Sequence, residues 1–450
     1  SIRRRQRQMC IRDRLSIDDL NVTVGSSSII ELLGGFLQFE YFESLLSPYT
    51  TASLSIIDTG GAVLAGAQED LQQRLGTLKS SVDTLKGKTL TVKIEHPSVQ
   101  SGILGGGLEF SADNPWRISD VPVVLDSDKV ELLQFRLRPQ YALNNEKTKS
   151  YKTFINKIRD NIVDILASSL EDGGLGVDPG NVEQKYDDTV NKCTERGQGR
   201  KPFDVIIALA RQAIPTAPAN AKAGCFFYET QDGFNFKGID NLISQASSFS
   251  YVHGGSATFC EGSNFRILDY QVRSTMRDLF QSLNYGETMQ EMTFDPITLD
   301  FGAALKIAED NGYTLGSDVL TTEIPETSVN YSTYFDFKSP DDGSTEISSE
   351  INNPPDFWRI QALTRYNSLL NKVIDIVVPC NLQLRAGMIL DCAWMKKTDK
   401  PEQGISDEKL SGRYLILHLS HKFNGDGQIG SLTHMTIVRD TDGIYSGGDV

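Results

Sequence analysis

The chain has 450 residues, 44 of them basic and 59 acidic, for a formal net charge of −15. This length suffices for two or three domains with a sizeable buried core, while the acidic balance disfavours nucleic-acid binding as a property of the whole surface, because phosphate recognition requires a basic face. No apolar run reaches the length of about eighteen residues that a transmembrane helix needs, so a soluble protein is predicted.

Residues 1 to 14 differ in composition from the rest, with six arginines and one aspartate. Removing their net charge of +5 leaves −15 − 5 = −20 for the remaining chain. The letters RRQRQMCIRD back-translate to DNA that matches a common transposase-type sequencing adapter, and they lack the apolar core of a signal peptide. We interpret residues 1 to 14 as an artefact and expect the true N-terminus upstream of Leu15. The alternative is a basic nucleic-acid arm.

Residues 15 to 145 are predicted to form a first, mostly antiparallel β domain. Apolar and polar residues alternate in LQFEYF and ASLSII on either side of Pro48, and again in TLTVKIEH and ELLQFRL, which predicts strands. Between residues 62 and 86, leucines and a valine recur at three- and four-residue steps. This spacing predicts a helix that covers the sheet.

Residues 146 to 245 are predicted as a helical and β-hairpin segment. Isoleucines at helical spacing in SYKTFINKIRDNIVDILASSL predict one amphipathic helix, and KPFDVIIALARQAI predicts a second. Residues 171 to 201, rich in Gly, Asp and Asn, predict a long surface loop. The text CFFYETQDGFNF predicts a hairpin whose turn contains Asp232 and Gly233.

Residues 246 to 356 are predicted as a mixed α/β segment, with a helix in FRILDYQVRSTMRDLFQSL, strands in YGETMQEMTFDPITLDF and an acidic loop over 335 to 356. Residues 357 to 450 are predicted as a helix followed by a C-terminal β-barrel unit of four strands. The fold class is therefore α+β, with two mostly antiparallel, β-barrel-like tube domains and an intervening helical and α+β segment.

Motifs for cofactors and metals are sparse. The stretch GGGLEF at 105 to 110 lacks the Lys-Ser/Thr of a P-loop and the strand, loop and helix order of a dinucleotide site. His418 and His421 are three residues apart in a predicted strand, so they should face opposite sides of the sheet, and His434 can approach only one of them. We predict partly exposed histidines and no metal site.

The cysteines outside the N-terminal artefact are dispersed and form no C-x-x-C pair. They are Cys193, Cys225, Cys260, Cys380 and Cys392. This pattern predicts free thiols in a reducing cytoplasm. No base is predicted beside Cys380 or Cys392, so neither is a candidate nucleophile.

Glu229 and Asp232 are the carboxylate pair that we consider for a cell-wall hydrolase, which needs a general acid and a second carboxylate. The favoured interpretation is structural, with Asp232 in a turn and Glu229 beside it. Large apolar residues lie on both faces of this hairpin, so both faces should be covered, within the chain or, alternatively, by a second subunit. They include Phe226, Tyr228, Phe234 and Phe236. We predict no catalytic, cofactor-binding or metal-binding residue.

Three stretches, in this order, resemble the baseplate hub proteins of contractile-tailed phages of the T-even type, especially their marine relatives. The first is residues 37 to 61, with Phe42-Glu43 ending a strand and Ile57-Asp58 ending the next. The second is the helix and FYET-x-DGF hairpin of residues 201 to 244, and the third is the closing barrel of residues 384 to 440. The insertion at 61 to 88 departs from the shorter connection expected in that family.

The resemblance implies a structural, non-enzymatic virion protein of the tail baseplate, assembled in the host cytoplasm. It implies a homotrimeric ring of pseudo-sixfold symmetry that joins the hexameric tail tube to the trimeric central spike and contacts other baseplate proteins. DNA would pass through an acidic lumen without specific binding, and no cofactor or membrane is implied. The alternatives are the base of a bacterial contractile injection spike of the type VI kind and a tail-associated peptidoglycan hydrolase.

Overall fold

The structure is a computed structural model that describes most of the chain between residues 16 and 440. The described ranges are 16–24, 28–31, 35–58, 85–95, 107–110, 116–126, 130–190, 192–193, 195–219, 221–253, 264–273, 288–295, 300–307, 330–335, 355–395, 407, 409–425 and 431–440. Residues 1 to 14 therefore lie outside them.

Within these ranges the chain is mostly β-sheet with a few helices. The helices are α1 (Gln140–Lys147), α2 (Ile158–Ala167), α3 (Val182–Lys185), α4 (Pro202–Gln212), α5 (Ile239–Ser244) and α6 (Pro355–Leu369). The first strands are β1 (Ser16–Val24), β2 (Ser28–Glu31), β3 (Phe36–Ser44), β4 (Thr51–Asp58), β5 (Thr89–Glu95), β6 (Gly107–Phe110), β7 (Trp116–Asp120), β8 (Val123–Asp126), β9 (Glu131–Pro139), β10 (Thr153–Phe154), β11 (Glu195–Arg196), β12 (Cys225–Thr230) and β13 (Gly233–Gly238). The remaining strands are β14 (Ser247–His253), β15 (Asn264–Arg266), β16 (Asp269–Val272), β17 (Thr288–Asp295), β18 (Asp300–Ile307), β19 (Asn330–Phe335), β20 (Lys372–Pro379), β21 (Ile389–Trp394), β22 (Gly412–Asn424) and β23 (Leu432–Arg439).

The N-terminal strands form an antiparallel sheet in the order β3-β4-β9-β7-β5. Alternate residues of β3 and β4, among them Phe39, Tyr41 and Leu54, are buried in one core with Trp116, as the alternation predicts. The helix predicted over residues 62 to 86 lies outside the described residues except at its end, where Leu85 is buried in the same core.

The middle segment packs α2, α4 and the β12–β13 hairpin around a core of its own. The second predicted helix and the hairpin are confirmed, but α2 begins only at Ile158, because the residues before it pair with another strand. The expected surface loop over 171 to 201 is wrong in part. Leu175 and Tyr186 are fully buried in this core, and α3 lies between the two in the sequence.

The helix predicted from residue 265 is wrong over its described part, which forms β15 and β16. Phe265 and Ile267 are buried while Leu268 is exposed, so the segment follows the two-residue period of a strand. The N–H of Ile267 donates to Val252 O at 2.9 Å, and the N–H of Leu268 donates to Val377 O at 2.8 Å. This segment therefore crosses from β14 to β20. The predicted pair β17 and β18 is confirmed as antiparallel.

The long strand β22 joins the two β regions of the chain. Its first residues pair with β21, its middle pairs with β23, and its end, from His418 to Asn424, pairs antiparallel with β3 from Ser44 back to Gln38. In the described residues, sixteen strands consequently belong to one hydrogen-bonded sheet. Among the same residues, no helix is long and apolar enough to cross a membrane.

Candidate functional site

Two buried carboxylates lie where the N-terminal sheet, the hairpin and the C-terminal β region meet. Glu43 occupies an inward position of β3, in line with Phe39 and Tyr41, and Glu229 belongs to β12. Both side chains are almost fully buried. Burying an unpaired carboxylate is very unfavourable, so the role of this site depends on the groups that donate hydrogen bonds to the two carboxylates. We name Glu43, Glu229 and their donors the carboxylate junction.

Glu43 accepts three hydrogen bonds, two of them from backbone groups far away in the sequence. The Tyr41 hydroxyl donates to Oε1 at 3.0 Å, and the Gln231 N–H at the hairpin turn donates to the same oxygen at 2.8 Å. The Ala386 N–H, in the loop between β20 and β21, donates to Oε2 at 2.9 Å. One side chain thus fixes the hairpin turn and a C-terminal loop to β3.

Glu229 connects the hairpin to the turn between β3 and β4 and to α1. Thr50 donates both its N–H, at 2.8 Å, and its hydroxyl, at 3.0 Å, to Oε2. The hydroxyl of Tyr141, in α1, donates to Oε1 in a very short contact. The turn between β3 and β4, the hairpin and α1 are therefore held together at this residue.

Burial raises the pKa of each carboxyl group. The pKa of Glu43 rises from 4.5 to about 7 because desolvation outweighs the favourable effects of Arg385 and of its hydrogen-bond donors. The pKa of Glu229 also rises to about 7, again because desolvation exceeds the effect of the Tyr141 and Thr50 hydrogen bonds. A protonated Oε1 of Glu229 can donate to the Tyr141 oxygen, so the neutral acid fits this site as well.

Glu229 and Asp232, the predicted carboxylate pair, lie in different environments. Glu229 is buried with both oxygens hydrogen-bonded, whereas Asp232 is exposed and pairs with Arg385, whose Nε lies 2.9 Å from Oδ2. A glycosidase needs two carboxyl groups that face a substrate. The structural interpretation of these two residues is therefore the one that the geometry supports.

A second buried charge cluster connects α5, α6 and the end of β23. Arg365 in α6 donates to Asp240 in α5, and its Nη1 lies 3.9 Å from the Asp440 carboxylate at the end of β23. All three side chains are almost fully buried. The second oxygen of Asp240 accepts the Lys222 N–H at 2.6 Å. This cluster joins the middle segment to the C-terminal region.

The histidines confirm one expectation and correct another. His418 and His421 do face opposite sides of β22, but His421 is fully buried rather than partly exposed, because it lies opposite Tyr41 and stacks on that ring. Burial lowers the pKa of His421 to about 3. His434 is exposed on the neighbouring strand. The described residues contain no cluster of side chains that could hold a metal ion.

The cysteines and the hairpin aromatics are core residues. Four described cysteines, Cys193, Cys225, Cys380 and Cys392, are free and buried. On one face of the hairpin, Phe226 and Tyr228 pack in the core that contains α5, β22 and α6. Phe227, Phe234 and Phe236 pack on the other face against α2 and α4. Both faces of the hairpin are therefore covered within the chain.

Sequence reasoning did not single out Glu43, Tyr141 or Arg385. For Glu43 a signal was present, because the alternation that places Phe39 and Tyr41 inward also places residue 43 inward. A carboxylate at an inward strand position indicates a buried polar contact. Tyr141 and Arg385 carry no comparable signal, since their partners are 88 and 153 residues away.

No protein-family model matches this chain, and neither does any curated protein. Among solved structures, it is similar to the tail protein from Neisseria meningitidis MC58, with a TM-score of 0.51 and 11% identity over 96% of this chain and 98% of that one. For the 43 kDa tail protein of prophage MuSo2 from Shewanella oneidensis, the TM-score is 0.49 and the identity 11%, over 94% and 97% of the two chains. For an E. coli type VI secretion component described as structurally similar to T4 bacteriophage tail proteins, the values are 0.41 and 9%, over 96% and 79%. The chain therefore shares the fold of the Neisseria tail protein over almost the whole length of both.

Proposed function

We propose that this protein is a structural subunit of a phage tail baseplate, and specifically its hub. The observation that carries the proposal is the fold match to the Neisseria tail protein, which extends over 96% of this chain and 98% of that one. Two chains that match end to end share their architecture and not merely one domain. Fold alone does not determine function, so the role in a tail is an inference by analogy.

In this proposal three copies form a ring of pseudo-sixfold symmetry between a hexameric tail tube and a trimeric central spike. Each copy contributes two tube-like β domains, which we assign to residues 15 to 145 and 357 to 450, with residues 146 to 356 between them. The pairings β14-β21-β22-β23-β20-β16, together with the β14–β15 pairing, support a small barrel in the C-terminal region, to which β14, β15 and β16 of the intervening segment also contribute. DNA would pass through the lumen without specific binding.

The carboxylate junction supports a structural and non-enzymatic role. Its carboxyl groups accept hydrogen bonds from main-chain groups up to 343 residues away, and these contacts hold the middle segment against both β regions. A subunit that transmits load between a tube and a spike needs such cross-connections.

The test measures the mass of the full chain by light scattering over a range of concentrations and images it by negative-stain electron microscopy. Particles of three times the chain mass, ring-shaped with an open centre, are the expected result. A monomer at every concentration, seen as a closed globule, would contradict the hub proposal. Release of soluble sugar from purified peptidoglycan that Glu229→Gln abolishes would instead establish the hydrolase alternative.

A further inference from the structure

A two-stranded ribbon on the surface of the middle segment presents an exposed aromatic and apolar face. Residues 150 to 157 run antiparallel to residues 192 to 200, with Thr153 opposite Arg196 and Phe154 opposite Glu195. Phe154 is 3% exposed and packs in the core, whereas Tyr151 is 73% exposed and Ile155 is 64% exposed. Tyr151, Thr153 and Ile155 therefore share the outward face, since alternate residues of a strand point the same way.

The turn that supports Tyr151 is closely packed. Gly199 has φ +75°, and a Cβ added there would lie 3.1 Å from the Tyr151 ring, while a Cβ on Gly197 would lie 2.3 Å from Ser150 O. Arg200 holds the same turn by donating to the carbonyl of Arg196 at 2.8 Å. An exposed ring that rests on a fixed turn loses little conformational entropy when a partner covers it.

The ribbon is basic in an otherwise acidic protein. Residues 147 to 160 and 192 to 201, which we name the basic ribbon, contain nine cations: Lys147, Lys149, Lys152, Lys157, Arg159, Lys192, Arg196, Arg200 and Lys201. Five acids lie within the ribbon or form ion pairs with it: Glu146, Asp160, Asp164, Asp188 and Glu195. The local charge is therefore 9 − 5 = +4, and the rest of the chain carries −15 − 4 = −19.

Four of these cations take part in no ion pair among the described residues, and all four are exposed. They are Lys147, Lys149, Lys192 and Arg196. They surround Tyr151 and Ile155, so this surface combines an aromatic anchor and an arginine, which protein interfaces favour, with lysines that add positive charge.

We propose that the basic ribbon docks on an acidic surface of a second copy of this chain. The contact is head-to-tail, because two ribbons facing each other across a twofold axis would place like charges together. The chain outside the ribbon carries a formal charge of −19, so a neighbouring copy offers the net negative charge that complements the ribbon. The inference rests on the proposed function, in which copies form a ring, and it identifies one face of the contact between them.

A nucleic acid is the less favoured partner for the same surface. Its phosphates would be repelled by the remainder of the chain, and the exposed Ile155 side chain offers apolar area that phosphates do not use. Repeated head-to-tail contacts close into a ring when the rotation between copies allows it.

The test compares the assembly of the full chain with that of two variants by mass photometry and analytical ultracentrifugation. One variant reverses charge, Lys149→Glu/Lys192→Glu/Arg196→Glu, and the other removes the exposed side chains, Tyr151→Ser/Ile155→Ser. The matched controls are Arg136→Glu/Arg211→Glu/Lys409→Glu and Leu46→Ser/Leu268→Ser, which reverse three charges and remove two large apolar side chains at exposed positions elsewhere. We expect each ribbon variant to raise the dissociation constant of the assembly at least about tenfold and the controls to assemble like the wild type. The dissociation constant of the wild type should also rise as the salt concentration rises.

Assembly that neither ribbon variant weakens, with both variants folded by circular dichroism, would overturn the inference and leave the ring proposal standing. A monomeric wild-type chain would instead overturn the ring proposal and the inference with it. Fluorescence anisotropy with labelled single-stranded and duplex DNA distinguishes the other partner. DNA binding that the charge reversal abolishes, with assembly unchanged, would reassign the basic ribbon to nucleic acid.

Discussion

Glu229→Gln should change how the stability of the protein depends on pH. The pKa of this carboxyl group is 4.5 when solvated and about 7 when buried in the fold. Between these values the folded state binds a proton that the unfolded state has released, so the free energy of unfolding falls as pH rises. At about 1.4 kcal/mol for each pH unit, the full loss is about 3 kcal/mol, most of it between pH 5 and pH 8.

The glutamine fits the site without leaving a polar group unpaired. Its oxygen can accept both hydrogen bonds from Thr50, and its amide can donate to the Tyr141 oxygen, as the protonated acid does. The variant does not titrate, so the difference between the two proteins isolates Glu229 from every other ionisable group. Relative to the wild type, the variant should be more stable at pH 8 than at pH 5 by about 2 to 3 kcal/mol.

Guanidinium denaturation followed by tryptophan fluorescence, at one protein concentration and at pH 5, 6, 7 and 8, measures this difference. Glu171→Gln, which changes an exposed carboxyl group, is the matched control, and its difference from the wild type should stay constant. A Glu229→Gln difference that stays constant within about 0.5 kcal/mol, or that changes in the opposite direction, would refute the reasoning.

Three further predictions concern the same junction and the cores around it. Glu43→Gln should lower the free energy of unfolding in denaturant melts by about 1 to 3 kcal/mol. If the new amide NH₂ group faces the Tyr41 hydroxyl, it also faces the Gln231 N–H, and two donors cannot pair, so that N–H is left without an acceptor. An unchanged free energy of unfolding would contradict this. Arg365→Met should lower the free energy of unfolding in the same melts by about 3 to 5 kcal/mol, because it leaves the buried Asp240 carboxylate without its counter-charge. A variant as stable as the wild type would show that this ion pair is dispensable. Burial raises the pKa of the Cys193 and Cys380 thiols to about 12. In a Cys10→Ser/Cys260→Ser background, these thiols should therefore react with a disulfide reagent at pH 8 only after the protein unfolds. Rapid labelling of the native protein would contradict their burial.

The local pattern of apolar and polar residues predicts those helices and strands whose period is unambiguous. The alternation in β3 and β4, the apolar face of α4 and the hairpin are each determined by neighbours within a few residues, so a sequence reading finds them. The turn itself is displaced by one residue from the predicted Asp-Gly step, because Gly233 pairs with Thr230 and leaves Gln231 and Asp232 as the turn. The helix predicted over residues 265 to 272 is wrong because adjacent apolar residues, Ile267 and Leu268, suit a helix as well as a strand. There the pairing with β14 and β20 decides the conformation, not the local preference.

The candidate site depends on contacts that no local pattern contains. The sequence places Glu43 at the end of a strand, yet its role follows from the Gln231 and Ala386 amides, which the fold brings to it from distant positions. The expectation of a structural Glu229 rested on the hairpin turn, whereas the structure gives the physical reason in Thr50 and Tyr141. Burial of a polar side chain can be read from alternation, but its partners cannot.

The pairing of β3 with β22 has a consequence for how the protein is made. Ser44 lies opposite His418, so the two strands are 418 − 44 = 374 residues apart. At a synthesis rate of about 5 to 20 residues per second, β22 is synthesised roughly 20 to 75 seconds after β3. During that time its outer edge is an unpaired strand edge, which is a template for pairing with other nascent chains. Chaperone capture during synthesis should therefore matter more for this protein than its stability, once it is folded, would suggest.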